Sequence, residues 1–103
     1  MDAYIYTDHC RALYDFDAAL VIGQRVEVRW RLLHTHEAFA APGHIKHVHS
    51  RTVIVTLEAD VCTSAGEVYR SGHTIYAPRR TSKLWTMEDC VLPLSPQPSC
   101  HGG

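Results

Sequence analysis

Apolar and charged residues alternate most cleanly at Val26, Val28, Trp30 and Leu32, with Glu27, Arg29 and Arg31 between them. A period of two puts one set on each face of a strand, so this segment is a half-buried β-strand. The same reading gives a strand from about His44 to His49, carrying Ile45 and Val48, and a turn at Ser50-Arg51. Thr52–Val61, rich in β-branched residues, reads as a third strand. Thr63–Gly66 is a turn, and Glu67–Tyr76 a fourth strand bent at Ser71-Gly72. Pro78 closes that strand, and Lys83–Val91 supplies a last short element with Leu84 and Trp85. The segment from His34 to Gly43 reads as a loop, with Pro42-Gly43 as its turn signal.

Before the strands the period changes. Leu13, Phe16 and Leu20 recur at helical spacing, Asp8 is a candidate N-cap and Gly23 a candidate C-cap, so residues 8–21 are expected to be helical. Tyr4, Ile5 and Tyr6, with Tyr14 and Phe16, leave an extended arm as the alternative. The expected fold class is mainly β: a small antiparallel five-stranded SH3-like barrel or curved sheet with a short N-terminal helix. One domain is expected over residues 1–92, with 1–22 as helix or arm and 23–92 as barrel. The proline-rich segment 93–103 reads as a disordered tail. With 103 residues the chain has room for one core.

Composition narrows the class of function. The net charge of -1 argues against a dedicated nucleic-acid or membrane-surface protein. The charge is unevenly placed, however. Residues 1–22 hold four aspartates against one arginine, whereas residues 23–87 hold nine Arg and Lys against five Asp and Glu. No apolar run approaches the ~18–20 residues of a membrane span, and the start lacks a signal-peptide pattern. The expected location is cytoplasmic, where cysteines at 10, 62, 90 and 100, with no C-x-x-C pair, read as free thiols.

Five of the eight histidines fall between residues 34 and 49. If the strands on either side of the loop paired in line, His34 and His36 would face His47 and His49, a candidate zinc-type metal site with Glu37 as carboxylate. The alternative is a set of solvent-facing polar residues. A second candidate surface interleaves Tyr69, Tyr76 and Trp85 with Arg79 and Arg80, a pattern that can stack bases and hold phosphates. No nucleophile elbow, phosphate loop or zinc-protease motif occurs, so no catalytic residues are assigned.

Ala12-Leu13-Tyr14-Asp15-Phe16 resembles the segment that opens SH3 domains, and Gly23–Val28 resembles the glycine turn and strand that follow it. Pro42–Ile45 and Thr52–Leu57 are similar to later strands of SH3-like barrels, Tudor and KOW types included. The resemblance implies a five-stranded barrel whose aromatic groove takes proline-rich or extended peptides, with Tyr14 and Phe16 as groove residues. The paired tryptophans and the closing motif of true SH3 domains are missing. The expectation is a binding or interaction module without a resident cofactor, working through a protein partner or self-association. Divalent-metal binding, a nucleic-acid-binding barrel and a small-ligand enzyme are the alternatives.

Overall fold

The computed structural model describes residues 11–94. Seven strands follow a helix: β1 Arg25–Arg31, β2 Ala38–Val48, β3 Thr52–Leu57, β4 Val61–Cys62, β5 Val68–Tyr69, β6 Thr74–Pro78 and β7 Cys90–Leu92. Five of them form one antiparallel sheet in the order β6-β3-β2-β1-β7, and β4 and β5 form a separate small hairpin. The sheet curls into a half-barrel, far enough that edge strand β6 also approaches β1 and the opposite edge, β7. The fold is therefore mainly β with one short helix, as the alternation of residues predicted.

Period two explains the core. Val26, Val28 and Trp30 from β1 turn inward with Ile45, Val53, Val55, Leu57, Ile75 and Ala77, all buried. Each such aliphatic side chain contributes about 1.5–3 kcal/mol by leaving water. A smaller aromatic cluster closes one end. Trp30 stacks on its cross-strand partner Phe39 with centroids 5.3 Å apart, and Tyr69 on β5 meets Trp30 edge-on at 5.3 Å. Among the described residues, the indole N–H of Trp30 is one of two buried side-chain groups without a hydrogen-bond partner.

Several boundaries differ from the sequence reading. Residues 11–18 are helical, while the expected N-cap Asp8 lies outside the described residues. The helix stops well before Gly23. That glycine, at φ 90°, instead turns the chain into β1, and its N–H donates to the Ile45 carbonyl at 2.8 Å. Pro42 and Gly43 are not a turn. They lie inside the eleven-residue β2, where pairing passes from β1 (Val26 opposite Gly43) to β3 (Gly43 opposite Leu57). Gly43 is required there by space: an added Cβ would lie 2.5 Å from Val55 Cγ1 and 2.7 Å from the Thr56 carbonyl oxygen.

Thr52–Val61 is likewise not one strand, because β3 ends at Leu57 and β4 starts at Val61. The expected bend at Ser71-Gly72 is a full turn that separates β5 from β6, with Gly72 at φ 94°. Leu84 and Trp85 lie outside any strand, in the connection that brings the chain from β6 across to β7 beside β1. Of the described residues, no helix is long and apolar enough to cross a membrane.

Candidate functional site

Where β1 ends, the chain makes a tight turn. The Leu32 N–H donates to the Glu37 carbonyl at 2.9 Å, and the His36 N–H to the Leu32 carbonyl at 3.0 Å. The turn closes with His36 at φ 60°, the only non-glycine residue with positive φ among the described residues. Left-handed backbone is uncommon for a side chain of this kind, and it persists where surrounding contacts fix it. Here Glu37 supplies that support: its carboxylate accepts from the Ser64 N–H at 3.0 Å and the Ser64 hydroxyl at 2.9 Å, joining the turn to the β4–β5 hairpin. Leu33, at the apex, is 89% exposed.

The connection 79–89 stands opposite this turn. Its inner residues are held by Ser82 N–H to the Arg79 carbonyl (2.8 Å), by the Thr86–Asp89 bridge, and by the Arg80 guanidinium lying 4.3 Å over the Trp85 ring. Leu84 is left 76% exposed. Between turn and connection is a cleft of about 330 Å³, walled by Leu32, Leu33, Pro78 and Leu84, with Arg31, Asp89 and His36 as its polar groups. Arg31 donates through Nε to Asp89 Oδ2 at 2.9 Å, and its Nη1 is 3.4 Å from Glu88 Oε1. The Asp89 hydrogen bond raises the Arg31 pKa further, so this guanidinium stays charged. A second hollow of about 230 Å³ adjoins, lined by Arg29, Ala38, Phe39, Ala40, Met87 and Glu88.

The four metal candidates do not converge. His34 and His36 belong to the β1–β2 turn, whereas His47 lies next to the last residue of β2 and His49 just beyond it, on the order of 30 Å away along the strand. Arg31 faces Ala38 and Arg25 faces His44, so no ladder brings the two pairs together. The rings of His47 and His49 are 6.0 Å apart. No group of three or more His, Cys, Asp or Glu side chains gathers for a metal among the described residues.

The basic and aromatic candidates are also divided. Tyr69 belongs to the aromatic cluster over the core. Arg79 is occupied internally, donating to Asp17 and to the His49 carbonyl, and Arg80 is stacked on Trp85. Tyr76 alone of the set stands free, 68% exposed on the outer face of β6. Tyr14 and Phe16 are on the helix, Tyr14 exposed and Phe16 packed against the core, so they do not line a groove together. Cys90 is fully buried beside β1, and that burial pushes its thiol up to about 11, which keeps it protonated and poorly nucleophilic.

The sequence reading singled out Trp85 in this connection but not Leu32, Leu33, Leu84 or Asp89 as binding residues. One signal was present: Leu32-Leu33 breaks the alternation of β1, placing an apolar side chain where the pattern calls for a polar one. Comparison with known protein families, curated proteins and solved structures finds no match for this chain.

Proposed function

We propose that this chain is a binding module that takes an extended peptide segment of a partner protein, apolar at alternate positions, in the cleft beside Arg31. The observation that carries the reading is the pairing of Leu33 and Leu84, both largely solvent-exposed, across a cleft with an ion pair at its wall. Apolar side chains facing each other over a concavity are the usual form of a ligand site, and scattered ones are not. Spacing supports an extended ligand. Arg31 lines the larger hollow and Arg29 the adjoining one, two residues apart on β1. Two residues of strand span about 6.6 Å, the interval between alternate side chains of a peptide lying alongside. The carboxylates of Glu27, Glu88 and Asp89 already neutralise both arginines, so apolar contact and backbone hydrogen bonds would carry the affinity. A curled five-stranded sheet is compatible with the SH3-like architecture that Ala12–Phe16 and Gly23–Val28 resemble.

The test is a backbone-amide NMR titration of the full chain with two short acetylated peptides, one Gly-Leu-Thr-Leu-Gly and one Gly-Ser-Thr-Ser-Gly. Shifts confined to residues 31–36 and 84–89, seen with the first peptide only and lost in Leu84→Asp, support the reading. Equal shifts with both peptides, or none, overturn it. A dimer in sedimentation that Leu84→Asp dissociates would mean that a second copy fills the cleft instead.

A further inference from the structure

The outer face formed by β2, β3 and β6 is unlike the rest of the surface. None of these three strands contains an aspartate or glutamate. Their outward residues form cross-strand rows: His44 beside Thr56 beside Thr74, and His47 beside Ile54 beside Tyr76. A register shift between Ile45 and His47 leaves Lys46 as an extra residue in β2, so Lys46 and His47 are both exposed although adjacent in sequence. At the β2–β3 turn, His49 and Arg51 are exposed next to this row, with the His49 ring 6.0 Å from that of His47.

Two nearby carboxylates are already engaged. Glu58 is held by Arg25 at 2.8 and 2.9 Å and by His44 at 3.2 Å, and Asp17 is buried under Arg79. Arg79 spends its Nη1 on the His49 carbonyl. What remains is Lys46, Arg51 and two imidazoles towards the β2–β3 turn, the exposed Tyr76 ring two strands from His47, and no aspartate or glutamate on β3 or β6.

We infer that this face binds single-stranded nucleic acid, with the phosphate backbone running past Lys46, His47, His49 and Arg51 and a base stacked on Tyr76. Charge complementarity selects a polyanion. The exposed ring selects one that carries flat bases, because stacking on an aromatic side chain is indifferent to sequence. Adjacent strands are about 4.8 Å apart, so the row from His47 to Tyr76 spans about 10 Å, room for a few nucleotides. The cleft at Arg31 meets this face only at Pro78, the last residue of β6, and the two readings are tested through different side chains.

The test is fluorescence anisotropy of the full chain with a labelled oligothymidylate of about 12 nucleotides. Binding should weaken with salt along a log–log slope of about -1.4, as two phosphate contacts to a single strand, from Lys46 and Arg51, require. Tyr76→Ala should weaken it about tenfold or more with the melting temperature unchanged, Tyr76→Phe should retain it, and Leu84→Asp should not alter it. Replacing Lys46 and Arg51 together by Ala should weaken binding and flatten its salt dependence. No binding at about 50 mM salt overturns the inference. So does undiminished binding by Tyr76→Ala, or equal competition by polyglutamate of similar length, which would assign the face to acidic peptides.

Discussion

Arg79 and Asp17 form the most buried ion pair among the described residues, and one guanidinium joins three parts of the fold. Its Nε donates to Asp17 Oδ2 at 3.2 Å, its Nη2 to the Asp17 carbonyl at 2.8 Å, and its Nη1 to the His49 carbonyl at 2.8 Å. Helix, β2–β3 turn and the end of β6 are thereby fixed to one another. The other carboxylate oxygen accepts the Arg80 N–H at 3.2 Å.

Removing either partner leaves a charge buried without compensation. Asp17→Ala and Arg79→Ala are each expected to cost about 3 kcal/mol in urea unfolding. The double variant should cost clearly less than the sum of the two, because it removes the stranded charge as well. Additive losses would show that the two side chains act separately.

Gly43 is expected to tolerate a side chain less well than Gly66 in the β4–β5 turn. Gly43→Ala forces a methyl against Val55 and the Thr56 backbone, and overpacking of this kind costs about 1–3 kcal/mol. Gly66→Ala has open space around it but φ 90°, so it should cost about 1–2 kcal/mol through backbone strain alone. The two effects separate on a second change: Val55→Ala and Gly43→Ala together should cost less than the sum of the two single losses, whereas Val55→Ala and Gly66→Ala should simply add. Thermal unfolding of the three single and two double variants checks this.

Pro42-Gly43 also shows where reading the sequence ran out. Pro-Gly is ordinarily turn chemistry, and nothing local distinguishes a turn from a strand that changes partners while packed tightly on its neighbour. The alternation in β1 and the branched residues of β3 were legible because burial on one face imposes period two directly. The cleft was not, since it joins Leu32-Leu33 to Leu84 through the β7–β1 pairing, a contact between segments more than fifty residues apart. The histidine cluster was compact along the chain and dispersed along β2: His34 and His36 precede this eleven-residue strand, and His47 and His49 are at its far end.

Burial should make Cys90 the slowest of the described thiols to react. With its thiol held near 11 and no solvent exposure, it should resist iodoacetamide in the native protein at about pH 8, while exposed Cys62 is alkylated. Peptide mass mapping reads both sites. Alkylation of Cys90 should appear only as urea unfolds the chain, which makes it an internal reporter of global opening. Equal labelling of both cysteines without denaturant would mean that β7 leaves the sheet readily.

Glu58 gives the fold a defined acid sensitivity. The hydrogen bonds from Arg25 lower its pKa from the ordinary 4.5, with a smaller contribution from the nearby His44, against a partial opposing effect of desolvation. A carboxyl whose pKa is lower in the folded state adds stability that is fully present above its unfolded value and is lost as pH falls through its folded value. The melting temperature of the wild type should therefore exceed that of Glu58→Gln at pH values above 4.5, and the gap should close as the solution is acidified below it. Arg25→Gln should remove most of the same gap, because Arg25 is the main cause of the shift. The contribution is modest, since Arg25 is well exposed and screened by water. A gap that stays constant from neutral pH to well below 4.5 would show that Glu58 stabilises the junction of β1 and β3 by packing rather than by charge.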